Sequence, residues 1–465
     1  MARRLALIAL AALFCAPAFG AGPAEKVVSP GDRTGLSLTL YQDDNALVRD
    51  RRAVSLDRGT TTLVWEGVAR GARTATGILS GSNLTVRTQG FDVEGATGER
   101  LLAGAVGKDV TVLWRDADGG ERAEQARVLA ARGTPLFDVG GKVVAGQPDR
   151  IVYDSLPAGL RTMPTFTGQV SSEAAGRRDV ELSYMTGGLS WQADYVGELA
   201  PAGDRLVLSA WTTLTNDSGM DFPNARVAVV AGRPNRTLAM EPRRGMPAAA
   251  APGAPPPPDH DAVGPYHEFV LPEPVSLLNG ERTQAVLIPP GAVKVQRELV
   301  FEPLPSYAWR GRFGEAKQNP VAILKLDNAL ASGLGKPLPA GVLRIYQRGR
   351  DGALTFLGED RLAATPVHGI ARIAVGQAFD VAARRSQTDF QHVSADVSES
   401  AFEVRLTNAG DKAVPVTVRE TFGSDWLVLE ESQPHHRDDA FGASWTTTIP
   451  AKGETTLKYR VRVKG

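Results

Sequence analysis

Hydrophobic side chains recur at every second position along most of this chain. Leu36, Leu38 and Leu40 alternate with Ser37 and Thr39, and Val180, Leu182 and Tyr184 alternate with Glu181 and Ser183. Leu206, Leu208, Ala210, Thr212 and Leu214 share one face. Phe402, Val404 and Leu406, then Leu457, Tyr459, Val461 and Val463, repeat the pattern near the C-terminus. Successive side chains of a strand point to opposite faces, so each segment buries one face and wets the other. Long stripes of period 3.6 are scarce. The pattern predicts a mainly β protein of several antiparallel β-sandwich domains, with a small inserted β-barrel and a C-terminal Ig-like sandwich.

Turn residues punctuate the alternation. Asp118-Gly119-Gly120 separates two candidate strands, as do Asn279-Gly280 and Asp351-Gly352. Asn-Gly suits a tight hairpin because both central residues take positive φ. The clearest break is residues 240–262, which hold Pro255-Pro256-Pro257-Pro258 among alanines. Proline has no N–H for a sheet and favours extended backbone, so this stretch reads as a linker or long loop. The expected division is a signal peptide (1–20), an N-terminal β domain (36–98, continued at 157–239) and an inserted small barrel (99–156). The linker at 240–262 leads to a central β domain (263–383) and a C-terminal sandwich (384–465) with Trp426 and Trp445 in its core.

Composition narrows the function classes. Lys+Arg 52 against Asp+Glu 52 gives zero formal charge, which argues against a basic nucleic-acid binder. One cysteine in 465 residues excludes a disulfide framework and any multi-cysteine metal site. The N-terminus reads Met1-Ala2-Arg3-Arg4, then an apolar run to Phe19 and the small Gly20. That is the layout of a secretory signal peptide, and the run falls short of the about 20 apolar residues a spanning helix needs. Cleavage after Gly20 would discard Cys15 and leave a thiol-free chain, suited to an oxidising, periplasmic or otherwise exported location. No later segment reads as a transmembrane helix.

The stretch from Ser183 to Tyr195, SYMTGGLSWQADY, resembles the signature of a bacterial family of exported proteins of unknown function, the DUF4139 domain family. Residues 41–56, Gly376-Gln377-Ala378-Phe379-Asp380-Val381 and residues 414–421 are similar to the family as well. Relatives labelled mucoidy inhibitor resemble the chain after the linker, but they carry a long helical hairpin near the N-terminus. No such heptads occur here, so that label is not carried over. The resemblance implies no catalytic residue. Within the signature, Gly187-Gly188 lets the backbone turn sharply, and Trp191 and Tyr195 share a face that packs into the sheet.

Candidate chemistry is sparse. Gly188-Leu189-Ser190 imitates a nucleophile elbow, but Gln192 stands where the motif needs a second glycine. Asp43-Asp44-Asn45 offers two carboxylates for calcium or acid–base work, and equally makes a turn through side-chain bonds to backbone. His435-His436-Arg437-Asp438-Asp439 reads as a polar loop, since adjacent histidines on a strand point apart. Tyr307, Trp309 and Arg310 form an aromatic–basic stretch, the best candidate binding surface in the sequence. The expectation is an exported, non-catalytic scaffold or binding protein of the bacterial cell envelope, without metal or cofactor. Its partner would be an envelope protein or a glycan. The alternatives are a periplasmic hydrolase using Asp43, Asp44 or Ser190, a carbohydrate-binding protein, and an outer-membrane barrel.

Overall fold

The computed structural model describes residues 24–115, 119–157, 159–232, 262–263, 266–303, 314–422 and 425–464. The expected signal peptide, residues 240–261 of the expected linker, and Tyr307, Trp309 and Arg310 lie outside the described residues. The rest is a succession of β-sheets. A four-stranded sheet of Ala24–Val28, Gly59–Glu66, Thr165–Ser172 and Leu84–Asp92 faces a larger sheet built on Arg33–Tyr41, Asn45–Leu56, Gly176–Thr186 and Phe222–Ala231. Their inward faces supply Trp65 and Phe166 from one side and Leu38, Val48 and Tyr184 from the other. A third, ten-stranded sheet runs through Leu189–Leu199, Arg205–Asn216 and Glu281–Phe301. Trp191 of that sheet donates its indole N–H to the Val230 carbonyl at 3.2 Å, stitching it to the second sheet. One continuous core therefore runs from Val28 to Ile373, across the proline-rich stretch. Each large side chain it buries contributes roughly 1.5–3 kcal/mol.

Most ladders are antiparallel, as the alternation implies, but among the described residues four pairs are parallel: Ala24–Val28 with Gly59–Glu66, Phe222–Ala231 with Arg33–Tyr41, Leu189–Leu199 with Gly341–Arg348, and Glu281–Phe301 with Val414–Thr421. Each joins strands far apart in sequence, which gives the chain the crossover length that parallel pairing needs. The inserted barrel needs correction. Residues 98–152 form a short helix, Gly98–Gly104, and a five-stranded sheet that does not close. Its edges, Lys142–Ala145 and Arg150–Val152, are only four and three residues long and share no ladder. Only residues 146–149 join them, so the sheet curls strongly, and Leu102 and Ala105 of the helix pack into its core. The Asn279-Gly280 turn likewise differs from expectation. Gly280 has φ +80°, but the strands on either side, Val275–Leu277 and Glu281–Phe301, pair with different partners instead of each other.

The 21-residue strand Glu281–Phe301 links two cores. Its first half pairs with Arg205–Asn216; its end buries Leu299 and Phe301 in the C-terminal sandwich beside Trp426 and Trp445. The prolines Pro289 and Pro290 sit where its register shifts, the position a sheet tolerates for a residue without N–H. Val381–Ser394 runs unbroken through residue 384, so a boundary there would cut a strand of the C-terminal sheet, one of whose edge strands is Ala316–Gln318.

Each sandwich hides an arginine. Arg52 is fully buried; it donates to Asp50 Oδ2 at 2.7 Å and to the Val28 and Glu66 carbonyls at 2.9 and 2.8 Å. Its guanidinium lies 4.5 Å from the Trp65 ring centre, and Arg33 shares Asp50 at 2.9 Å. Arg385 donates to Glu420 Oε1 at 2.7 Å and lies 3.8 Å from the Phe402 ring centre, while the Tyr459 hydroxyl donates to the same carboxylate oxygen at 2.6 Å.

A polar cleft at the end of the ten-stranded sheet

Strand Leu189–Leu199 explains how the cleft arises. Leu189, Trp191, Ala193 and Tyr195 take the core face, so Ser190, Gln192 and Asp194 must take the other. Neighbouring strands extend these positions into rows. Ser190 pairs with Thr215, which pairs with Arg282. Gln192 pairs with Thr213, which pairs with Gln284. On the other side, Asp194 pairs with Val342 of the parallel strand Gly341–Arg348, and Val342 with Arg361. The hairpin turn at residues 42–44 walls this end of the sheet, with Gln42 Nε2 donating to the Ala340 carbonyl at 3.5 Å. The result is an open cleft of about 1290 Å³.

Its floor is fixed by the glycine pair of the signature. Gly188 has φ +78°, and a Cβ there would stand 2.6 Å from Ser218 Cα, so only glycine fits. The Gly188 N–H donates to Asp44 Oδ1 at 3.0 Å, and Asp217 N–H donates to the Gly188 carbonyl at 2.6 Å. Asp44, at φ 56°, is thus a turn residue braced against the signature.

Asp194, 8% exposed, organises the middle of the face. It accepts from Arg344 Nη1 at 3.0 Å and Thr213 Oγ1 at 2.7 Å, and Gln284 Nε2 donates to that same Thr213 oxygen at 3.1 Å. The bond to Asp194 makes the Arg344 guanidinium hold its proton more tightly than usual. Such tied side chains keep their rotamers, so the face is preorganised. By contrast, the side chains of Arg282 and Arg361 form no ion pair among the described residues and stand free at the rim. Tyr195 donates to the Pro339 carbonyl at 2.8 Å, and burial pushes its phenol well above the ordinary tyrosine range.

Of the sequence candidates, Asp43, Ser190 and the largely buried Trp191 meet in this cleft, while Asp44 is held by Gly188. The His435–Asp439 stretch lies apart, in the C-terminal sandwich. There His435 Nδ1 is 2.9 Å from Glu431 Oε2, Trp445 donates to that same oxygen at 3.0 Å, and Arg437 covers Trp426. Among the described residues no three His, Cys, Asp or Glu side chains converge as a metal would need. The sequence reading overlooked Trp211. It is 39% exposed on the outer face, two positions from Thr213. The alternation of Leu206, Leu208, Ala210, Thr212 and Leu214 already placed it there.

A sequence-family model described as Domain of unknown function (DUF4139) matches residues 180–464. The match begins at the strand that leads into the glycine turn and covers the cleft strands from Leu189 onward. No curated protein matches the chain.

Proposed function

The chain belongs to the DUF4139 family, and from that premise we propose that it is an exported, non-catalytic binding protein of the bacterial cell envelope whose site is the cleft. The observation that carries this reading is the lining itself. Hydroxyl, amide, guanidinium and carboxylate groups stand on rigid strand ends around an open cleft of about 1290 Å³, with an ordered network around Asp194 behind them. A serine nucleophile needs a base within hydrogen-bond reach. Ser190 makes no side-chain hydrogen bond among the described residues, and no histidine is among the described residues of the lining. Export rests on the basic, apolar and small-residue order of residues 1–20.

The test is fractionation followed by sedimentation. Osmotic shock should release the mature chain, and the purified protein should co-sediment with isolated envelope fragments. The Gln192→Ala, Arg282→Ala double variant should lose that co-sedimentation at unchanged melting temperature. Retention of the chain in the cytoplasm, or co-sedimentation that ignores both substitutions, would refute the reading. The hydrolase alternative draws on Asp43 and Ser190 sharing the cleft. It requires turnover that vanishes on alanine substitution at both.

A further inference from the structure

We propose that the occupant of the cleft is an uncharged glycan chain laid across the strands; this rests on the binding role given above and names its ligand class. Three observations converge. The first is a straight row of paired positions on the outer face, one from each of five adjacent strands: Arg361 and Val342 of the cleft lining, continued beyond it by Asp194, Trp211 and Val286. At about 4.8 Å per strand the row spans about 19 Å. A ligand following it is elongated and crosses the strands, instead of adding to a sheet edge as a peptide strand would. The volume, about 1290 Å³, also exceeds the roughly 300–1,000 Å³ of ordinary small-molecule pockets.

The second is Trp211 within that row. It is 39% exposed although it is a large aromatic on a strand whose alternate residues are buried. An indole face beside hydrogen-bonding groups suits a sugar ring, which has an apolar C–H face and a polar rim. In the next two rows toward the cleft lie the amides of Gln192 and Gln284 and the hydroxyls of Thr215 and Ser190, donors and acceptors at the spacing of neighbouring strands.

The third is charge. The cleft carries Arg282 and Arg361 against Asp43 and Asp217. Two cations and two carboxylates leave the lining with no net formal charge, so it favours neither an acidic nor a basic polymer overall. Guanidinium donors and carboxylate acceptors both serve a polyhydroxylated, uncharged ligand.

The experiment uses the full mature chain and envelope fragments in three forms: untreated, oxidised with periodate to cleave vicinal diols, and digested with protease. It adds calorimetric titration with a neutral 1,4-linked hexasaccharide of glucose, whose residues carry vicinal diols, and with hexagalacturonate as the acidic comparator. The expected result is loss of co-sedimentation after periodate but not after protease. A neutral hexasaccharide should bind and hexagalacturonate should not. Trp211→Ala should weaken that neutral binding by at least about tenfold, with an unchanged melting temperature. Phe379→Ala, at an exposed residue of the C-terminal half, should leave it intact. Periodate-resistant but protease-sensitive co-sedimentation that still depends on Gln192 and Arg282 would overturn the glycan assignment and leave the binding role standing. Preference for the acidic oligomer, no neutral binding, or neutral binding indifferent to Trp211 would also overturn it. Absence of any co-sedimentation would remove the binding role and the assignment together.

Discussion

The two buried arginines solve one physical problem in different ways. A guanidinium cannot shed its charge, so burial demands that its donors be filled. Arg52 fills them partly from backbone: the Val28 and Glu66 carbonyls belong to the sheet opposite its own. Burial pulls its pKa down, with Asp50 opposing. Arg385 is held by the side chains of Glu420 and Tyr459. Burial lifts the Glu420 carboxyl above the ordinary glutamate range, because Arg385 and Tyr459 offset only part of the lost hydration. The first arginine is thus a strut between sheets, whereas the second is gripped by a carboxylate and a phenol of its own sandwich. A cluster of side chains can be exchanged for apolar groups; a strut that satisfies backbone cannot.

Substitutions can break or sharpen that contrast. The largest effect is expected for Arg52→Met, which leaves the buried Val28 carbonyl and the part-buried Glu66 carbonyl without their donor and thins the support of Asp50. Urea unfolding should show a loss of about 3–5 kcal/mol, the range for breaking a buried pair. Glu420→Leu alone strands the Arg385 charge, and a loss at the lower end of the same range, about 3 kcal/mol, is expected in the C-terminal sandwich, read through Trp445 fluorescence. The triple change Arg385→Met, Glu420→Leu, Tyr459→Phe removes the three polar members together and should recover most of the stability that Glu420→Leu alone loses. A triple variant as damaged as the single one would erase the distinction.

The smallest expected effect is a pH slope. A carboxyl whose folded pKa lies above its unfolded value adds stability in acid and loses it as pH rises through the folded value. The parent should therefore gain stability relative to Glu420→Gln as pH falls from neutral toward 4.5, the ordinary glutamate value. Parallel melting curves for the two proteins across that window would count against a raised Glu420.

The alternation of residues such as Leu206 to Leu214 carried most of the fold, because each strand buries one face and a two-residue period records that directly. The pairing of Asp109–Arg115 with Glu121–Ala130 and the hairpin at Asp351-Gly352 were readable for the same local reason. Long-range pairing was not. Nothing near Leu189–Leu199 announces that Gly341–Arg348 will lie parallel beside it, about 150 positions later. Nor do four- and three-residue edge strands reveal whether a sheet closes. The cleft was half legible. Ser190 and Asp43 were singled out, but the residues that join them, from Thr213 to Arg361, come from separate strands and meet only through register. Trp211 is legible from the same two-residue period, on the face opposite the buried Leu206-to-Leu214 positions.

Amide hydrogen exchange of the full mature chain, with and without isolated envelope fragments, tests the cleft most directly. Residues 189–192, 213–217, 281–284 and 340–342 should gain protection together on binding, while the inserted sheet and the C-terminal sandwich stay unchanged. Protection confined to other surfaces, or none at any strand end of the cleft, would contradict the account.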